Sequence, residues 1–273
     1  MATLEARTLF ITGGSRGIGR EIALRAARDG ANVAIAAKTA EPHPRLAGTI
    51  HSVAAEIEAA GGRALAIRLD VRDEHAVAAA IDRAAQHFGA LDILVNNASA
   101  ISLTPTSATP AKRFDLMFGV NVRATFLCSQ AAIPHLRRSA NPHILTLSPP
   151  LSMKAKWFAG HLAYTMSKYG MSMCTLGMAE ELRPDGIAVN SLWPRTTIAT
   201  AAVEVHFPAE ILRASRHAAI MAQAAHAILT SEARANTGNF YIDEEVLRAC
   251  GETDFARYAV TPGVPLYNDL FVE

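Results

Sequence analysis

A tyrosine and a lysine, Tyr164 and Lys168, lie one helical turn apart in the segment HLAYTMSKYGMS. Residues at positions i and i+4 of a helix share a face, so the phenol and the ammonium can point into the same cleft. A nearby positive charge favours the tyrosinate form and lowers the pKa of the phenol. Such a pair is suited to give a proton to a carbonyl oxygen or to take one from an alcohol. A surface lysine beside a packed tyrosine has the same spacing. Other parts of the chain must therefore show whether this pair is catalytic.

A glycine-rich segment, TGGSRGIG at residues 12–19, lies between an apolar run of strand length and a segment of helical period. Glycine permits positive φ and lets a phosphate approach the backbone. The N-terminus of the following helix supplies free N–H groups and a positive dipole end. The pattern predicts a pyrophosphate site rather than an ordinary glycine-rich loop, although the literal GxGxxG spacing is absent. The residues expected to contact the cofactor here are Gly13, Ser15, Arg16, Gly17, Ile18 and Gly19.

The residues that follow the second apolar strand indicate which nicotinamide cofactor is bound. An Asp or Glu that accepts from the ribose hydroxyls of NAD is expected about 20 residues after the loop. The sequence there is AAKT, residues 36–39, without a carboxylate. Lys38 and Arg16 could instead neutralise the 2′-phosphate of NADP. The sequence therefore predicts NADP(H) in preference to NAD(H), unless Lys38 simply faces solvent.

Strand-length apolar runs alternate with segments of helical period along the chain. Examples are TLFIT followed by GIGREIALRAARDG, and HILTLS followed by the segment that carries Tyr164. Continuous apolar strands alternating with helices are typical of a parallel sheet covered on both faces. We therefore expect an α/β fold, a doubly wound (Rossmann) parallel sheet of about seven strands. One domain over residues 1–273 is expected, with a C-terminal extension from about residue 244.

Composition excludes several classes of function. Twenty-six Lys+Arg against 25 Asp+Glu give a net charge of +1, so a broad nucleic-acid surface is not expected. Cys128, Cys174 and Cys250 lack the spacing of a disulfide framework, and the histidines show no HExxH or similar metal-ligand spacing. No metal site is predicted. Without an evident signal peptide or an apolar span, the protein is expected to be cytoplasmic, with no membrane span.

In their joint order, the motifs resemble the short-chain dehydrogenase/reductase family over nearly the whole chain. The matches are TGGSRGIG, Asp70-Val71, NNAS at residues 96–99, Asn121, Ser148, Tyr164 and Lys168. Stretches such as AAKTAEPHPRLAGTI and LWPRTTIATAA resemble the branch called hydroxysteroid dehydrogenase-like protein 2. Eukaryotic members of that branch add a C-terminal sterol-carrier domain, which we do not expect in this sequence.

The resemblance implies roles for four catalytic residues. Tyr164 would be the general acid/base, and Lys168 would lower its pKa and hold the nicotinamide ribose. Ser148 would hydrogen-bond the substrate oxygen, and Asn121 would hold a water molecule in a proton relay. The implied activity is hydride transfer between NADP(H) and a carbonyl or secondary alcohol on an apolar small-molecule substrate, by a homodimer or homotetramer.

The resemblance also implies cofactor contacts outside the glycine-rich loop. Asp70 would contact adenine, with Val71 beside it. Asn97, Pro194 and Ile198 would lie nearer the nicotinamide, where Tyr164 and Lys168 complete the site. The family's usual Pro-Gly after the sixth strand is here Pro194-Arg195, and an arginine restricts the backbone where glycine is usual.

The position of the catalytic serine departs from the family pattern. The usual spacing leaves 12 residues between serine and tyrosine, whereas Ser148 leaves 15 and Ser152 leaves 11. We prefer Ser148 because it ends the apolar strand HILTLS, where a side chain can face the cleft. Ser152 remains the alternative.

Two other functions also fit the sequence. The first is a catalytically idle NADP(H)-binding sensor or assembly subunit on the same fold. The second is reduction of an enoyl or dienoyl thioester, which the unusual serine spacing keeps in view. Residues 199–215 are expected to close over the ligands. The apolar side chains expected to form the substrate wall are Met153, Trp157, Phe158, Phe207 and Ile211.

Overall fold

A seven-stranded parallel sheet forms the centre of the molecule. The structure, a computed structural model, describes residues 2–44 and 46–273. The strands lie in the order β3-β2-β1-β4-β5-β6-β7, and all neighbouring pairs are parallel. The predicted doubly wound sheet of about seven strands is therefore confirmed. The chain order reverses between β1 and β4, which is where ligands bind in such sheets.

The strands are β1 (Thr8–Thr12), β2 (Asn32–Ala37), β3 (Arg63–Arg68), β4 (Ile93–Asn96), β5 (His143–Thr146), β6 (Ala188–Trp193) and β7 (Phe240–Ile242). The helices are α1 (Gly17–Ala27), α2 (Ile50–Ala59), α3 (Glu74–Phe88), α4 (Ala111–Met117), α5 (Ala124–Leu136), α6 (Leu162–Glu181), α7 (Ala201–His206), α8 (Ala209–Arg213), α9 (Ala219–Leu229) and α10 (Asp243–Ala249). One π-helical segment, Phe118–Arg123, joins α4 to α5.

Helices cover both faces of the sheet, which explains why the central strands are apolar on both sides. Leu9 and Ile11 of β1 pack in one core with α1, α2 and α9. Phe10, between them in sequence, points to the opposite core, which α3 and α5 cover. This alternation follows from the two-residue period of a strand. Because all neighbouring strands are parallel, their carboxyl ends lie at one edge of the sheet, where the loops meet.

The long connection between β2 and α2 packs against the glycine-rich loop. Gly48 has a φ of +90°, and a Cβ there would lie 2.3 Å from the carbonyl oxygen of Ser15. Only glycine allows so close an approach. Helix α2 then begins at a capping box, in which Thr49 and Ser52 each accept a hydrogen bond from the other's backbone N–H. The connection is thus built into the wall of the site.

One helical stretch, Ala111–Leu136, is long and apolar enough to cross a membrane by length and composition alone, with a mean hydropathy of 1.2. It is the one such stretch in the part of the chain that the structure describes. Here α5 packs against the sheet, with Cys128, Ala132 and Leu136 in the core. Phe126, on the other side of α5, is about half exposed. The burial of one face indicates a core helix.

The chain after β7 returns to the carboxyl edge of the sheet. Helix α10 is tied to the segment after β6 by a buried ion pair, in which Arg216 Nη1 lies 2.6 Å from Glu244 Oε2. Farther on, Thr197 N donates to the carbonyl of Tyr267 at 2.9 Å, and Asp269 N donates to that of Arg195 at 3.0 Å. The C-terminal segment therefore forms part of the loop cluster that borders β6.

Candidate active site

The turn between β1 and α1 forms one wall of a long groove. Gly13 and Gly17 have φ values of +67° and +58°, which favour glycine. A Cβ on Gly13 would lie 2.9 Å from Ala98 Cα, and one on Gly19 would lie 2.5 Å from Asn97 Nδ2. No side chain caps the start of α1. Its first N–H groups can therefore bind an anion such as a pyrophosphate.

Asn97 fixes this loop to the end of β4. Its Nδ2 donates to the carbonyl oxygens of Thr12 at 2.9 Å and Gly13 at 3.1 Å. Thr12 Oγ1 in turn accepts from the backbone N–H groups of Asn97 and Ala98, both at 3.0 Å. Six groups at the ends of β1 and β4 are thus held in one network. The loop is preorganised, which lowers the entropic cost of binding a ligand.

The groove has a volume of about 570 Å³, within the range of cofactor sites. Most predicted cofactor contacts line it, namely Gly13, Ser15, Arg16, Gly17, Ile18, Lys38, Asp70, Val71 and Asn97. Gly19 instead lies beneath the loop, against Asn97. The close-packed glycines and the uncapped helix fit a dinucleotide whose pyrophosphate lies at the start of α1.

Charged side chains gather at the far end of the groove. Lys38 Nζ lies 3.1 Å from Asp70 Oδ2, so Lys38 is paired rather than simply solvated. Arg72 also binds this carboxylate, and its hydrogen bonds hold the pKa of Asp70 well below its usual range. Arg16 is held by the carbonyl oxygens of Ala47 and Gly48, at 3.0 and 2.9 Å. A shallow depression next to this end is lined by Arg16, Lys38, Glu41, His43 and Arg68, among others.

A second cavity, of about 150 Å³, adjoins the groove at the carboxyl ends of β5 and β6. Ile18 and Asn97 line both spaces. The predicted residues that line the second cavity are Tyr164, Lys168, Pro194, Ile198 and Phe207. A reactive group at the inner end of the groove would therefore meet the side chains of α6.

Tyr164 and Lys168 lie on one face of α6, as their spacing predicts, and both are buried. Lys168 Nζ donates to the carbonyl of Leu147 at 2.6 Å and lies 4.9 Å from the ring centroid of Trp193. Burial lowers the pKa of Lys168 to about 7. The ammonium is thus directed toward β5 and β6, where it remains within the cavity wall.

The expected lowering of the Tyr164 pKa is wrong for this structure. Burial raises the pKa of the phenol, and the charge of Asp269 raises it further. The physical reason is that a buried phenol favours its neutral form, while the nearest partner of the Lys168 amine is a carbonyl oxygen. Tyr164 is therefore protonated near neutral pH, which is the form that gives a proton to a carbonyl oxygen.

Neither candidate serine lines the second cavity. Ser148 is fully buried, and its Oγ lies 2.8 Å from that of Ser191, which donates to Thr175 Oγ1 at 2.9 Å. The preceding residue, Leu147, lines the cavity instead. Successive side chains of an extended segment point to opposite sides. The Ser148 side chain therefore points away from the cavity and lies under α6. Ser152 is half-buried in the connection beyond.

Asn121 lies in the π-helical segment and is fully buried. Its Nδ2 donates to the carbonyl of Ala100 at 3.0 Å and to Ser167 Oγ at 2.9 Å, and its Oδ1 accepts from Ala100 N at 2.7 Å. Asn121 does not line the cavity. Its side chain joins the loop after β4 to α6, so it positions the helix that carries Tyr164. Its part in a water relay stays a prediction.

Of the five apolar residues predicted to form the substrate wall, Phe207 lines the cavity. Met153 is 84% exposed. Trp157 and Phe158 pack against Phe271 and Tyr169, respectively. Ile211 is half-buried outside the cavity lining.

Two of the residues that the sequence interpretation missed come from the C-terminal segment. Asp269 and Leu270 line the second cavity, as does Trp193 of β6. No periodicity marks the stretch NDLFVE, and its only local signal is a carboxylate before apolar residues. Arg195, the departure from Pro-Gly, causes no strain, because its φ is not positive. Its N–H donates to Asp243 Oδ1 at 2.8 Å, and burial raises the pKa of Asp243 to about 6.

Known proteins share this sequence pattern and architecture. A model of the short chain dehydrogenase family matches residues 7–210. The chain belongs to this family. Among short chain dehydrogenase relatives, hydroxysteroid dehydrogenase-like protein 2 of Danio rerio is 58% identical over 266 residues, 97% of this chain and 64% of that protein. The Homo sapiens protein of the same name is 54% identical over 97% of this chain and 63% of its own length. The chain thus spans less than two thirds of these relatives.

Solved structures show the same short chain dehydrogenase fold. A short chain dehydrogenase from Mycobacterium thermoresistibile is 52% identical, with a TM-score of 0.94 and coverage of 99% of this chain and 96% of that one. The carveol dehydrogenase of Mycobacterium avium, solved in complex with NAD, is 22% identical, with a TM-score of 0.76 over 89% of this chain and 97% of that one. The latter likeness concerns the fold alone.

Replacing Asn97 by Ala should weaken binding of the nicotinamide cofactor by up to roughly 30-fold, because two hydrogen bonds of about 1 kcal/mol each no longer hold the glycine-rich loop. Fluorescence titration with NADPH measures the change. The matched control is Asn141→Ala, which removes an asparagine bonded to Ser231 and Ala233 without touching the groove. Unchanged affinity in Asn97→Ala would show that the Asn97 hydrogen bonds are not needed to hold the loop for binding.

Proposed function

We propose that the chain is an NADP(H)-dependent oxidoreductase that transfers a hydride between nicotinamide and a carbonyl or secondary alcohol on an apolar substrate. The observation that carries the proposal is the continuity of the dinucleotide groove with the cavity of Tyr164 and Lys168. The cavity has a mainly apolar lining that includes Leu147, Trp193 and Phe207. An apolar substrate with one polar reacting group suits such a lining.

The roles of the chain's own residues follow from their positions. The glycine-rich loop binds the pyrophosphate, and Lys168 lies where it can hold the nicotinamide ribose. When bound, the reduced cofactor supplies the hydride. Tyr164 gives its phenolic proton to the substrate oxygen as negative charge develops there. The apolar lining excludes water from the reacting groups. Residues 199–215 close over the ligands in this proposal, since several residues between 200 and 207 border one or both spaces.

The preference for NADP(H) rests on the positive charges at the adenosine end. Arg16 and Lys38 line both the groove and the adjoining depression. A 2′-phosphate carries about −1.5 to −2 charges near neutral pH and accepts several hydrogen bonds. Lys38 is partnered by Asp70. The phosphate would compete for this lysine, while Arg72 still neutralises the carboxylate.

A second candidate function is nucleotide binding without turnover, as in a sensor or assembly subunit. The observation that favours it is the burial of Ser148 outside the cavity. NADPH oxidation with a panel of apolar ketones and diketones separates the two functions. NADPH oxidation with unsaturated acyl-CoA but not with ketones would instead support thioester reduction.

Replacing Lys38 by Asp should invert the cofactor preference, since the new carboxylate repels the 2′-phosphate and can accept from the ribose hydroxyls of NADH. Titration of the unaltered protein and the variant with both cofactors gives the four affinities. Lys112→Asp, the same change at an exposed position on α4, is the control. Equal affinity of the unaltered protein for NADPH and NADH would contradict the proposed preference.

Tyr164→Phe should leave NADPH affinity nearly unchanged and lower turnover of a reactive diketone by about 10²–10⁴-fold, because only the transferable proton is removed. Single-turnover absorbance of bound NADPH measures the chemical step. Tyr169→Phe is the matched control on the same helix, since its ring packing is kept and it does not line the cavity. Full turnover in Tyr164→Phe would rule out Tyr164 as the acid.

Self-association as a dimer or tetramer is also part of the proposal. Helices α5 and α6 present exposed apolar side chains, among them Phe126, Met173 and Leu176. Self-association would cover exposed apolar side chains of this kind. Light scattering at micromolar concentration should give at least twice the 29.1 kDa chain mass. A species of the chain mass alone would refute self-association, and Leu176→Glu should shift an oligomer toward that mass.

A further inference from the structure

Asp269, near the C-terminus, places a carboxyl group in the same cavity as Tyr164 and Lys168. Its charge is close enough to act on both residues, raising the pKa of each. The two serines considered for contact with the substrate oxygen lie outside this cavity. The residues that border this cavity thus include Asp269 and Ser99, but neither Ser148 nor Ser152.

The backbone around Asp269 is held on both sides. Its N–H donates to the carbonyl of Arg195 at 3.0 Å, and the carbonyl of Leu270 accepts from Trp193 Nε1 at 2.8 Å. Two residues on, Phe271 has a φ of +73°, which is rare for a bulky side chain. Surrounding packing must offset such a conformation. The carboxyl group is therefore positioned rather than loosely tethered.

Aromatic packing supplies that constraint. The Phe271 ring lies 5.3 Å from that of Tyr169, 5.9 Å from those of Trp157 and Trp193, and 6.3 Å from that of Tyr164, between ring centroids. These rings come from α6 and β6 and from the connection that precedes α6. Aromatic contacts at such separations stabilise beyond their buried area. The C-terminal segment is thus anchored to the elements that carry the site.

One carboxyl oxygen of Asp269 has a clear structural role, and the other does not. Oδ1 accepts from Leu270 N at 2.7 Å. Oδ2 has no hydrogen-bond partner among residues 2–44 and 46–273, and it is not one of the fully enclosed polar atoms. A carboxyl oxygen on a cavity wall is thus left for a ligand.

The charged and titratable groups near Asp269 are Tyr164 and Lys168 of α6 and Asp243 of α10. Burial raises the pKa of Asp269 to about 7; the charge of Asp243 raises it as well, and that of Lys168 opposes the shift. The protonated form is then populated near neutral pH. A neutral carboxylic acid in an apolar site can donate a hydrogen bond to an oxyanion.

We infer that Asp269, as a carboxylic acid, is the second hydrogen-bond donor to the substrate oxygen, beside Tyr164. The inference rests on the proposed carbonyl reduction. The hydride forms the new C–H bond, the carbonyl π electron pair moves onto oxygen, and that oxygen takes the proton of Tyr164. Asp269 keeps its own proton and stabilises the developing negative charge, the part that an oxyanion-hole donor performs.

Steady-state reduction of phenanthrenequinone or benzil by NADPH tests the inference on the whole chain. Asp269→Ala should lower kcat by roughly 10²-fold or more, as for removal of one oxyanion donor. Asp269→Asn keeps both an acceptor for Leu270 N and a donor for the substrate, so its kcat should stay within about 10-fold of the unaltered value. Asp254→Asn, the same change on an exposed carboxylate, is the control. Unaltered kcat in Asp269→Ala would overturn the inference.

The pH dependence separates this role from a merely structural one. As the pH rises through the Asp269 pKa of about 7, the donor is lost, so kcat for reduction should fall. In Asp269→Asn this part of the fall should be absent, because the amide does not titrate. Lys168 and Asp243 titrate in both proteins, but the Lys168 step should move to lower pH in the variant, because the charge of Asp269 no longer raises its pKa. The step that is lost, rather than moved, belongs to Asp269. Superimposable profiles would contradict a donor role.

Infrared difference spectroscopy gives a readout that does not need turnover. The NADPH complex of the unaltered protein should show, slightly below neutral pH, a protonated-carboxyl stretching band that Asp269→Asn lacks. A missing band would show that Asp269 is ionised and overturn the inference, whatever the activity. A protein that shows the band but reduces no carbonyl compound would contradict both the proposed function and the donor role that rests on it.

Discussion

The hydrogen bonds between Thr12 and the Asn97–Ala98 backbone join the two halves of the sheet where its chain order reverses. In a doubly wound sheet, the loops on either side of this point diverge and leave a crevice. The side chain of Asn97 extends the connection to the carbonyls of the glycine-rich loop. The start of α1 is thereby fixed relative to β4. The shape of the groove, and the alignment of its inner end with α6, depend on this connection.

Burial controls the electrostatics of the second cavity. It favours the neutral forms of Tyr164, Lys168 and Asp269, raising the pKa of the two acids and lowering that of the amine. Each of the three also feels charge on a neighbour, and desolvation outweighs that attraction in the shifts of Lys168 and Asp269. Such a site keeps the phenol of Tyr164 protonated near neutral pH, whereas Lys168 and Asp269 titrate in that range.

The C-terminal segment makes the cavity dependent on residues far apart in the chain. The main chain of Arg195, just after β6, is bonded to both α10 and the C-terminal segment. Its N–H donates to Asp243, and its carbonyl accepts from Asp269 N. The arginine that replaces the family's usual glycine thus lies between the end of β6 and both carboxylates. Phe271 then secures the segment against the aromatic side chains of α6. The shape of the cavity therefore depends on how the C-terminal segment packs against β6 and α6.

The sequence by itself determined the features that local spacing encodes. Strand and helix periods predicted a doubly wound parallel sheet of about seven strands, the glycines marked the predicted phosphate loop, and the i,i+4 spacing placed Tyr164 and Lys168 on one face of α6. Tertiary structure decided the features that depend on orientation or on distant contacts. Ser148 faces away from the cavity because extended residues alternate sides, so an error of one position reverses the result. Asp269 enters the site through packing that no local pattern records, and the phenol's pKa follows burial rather than the neighbouring lysine.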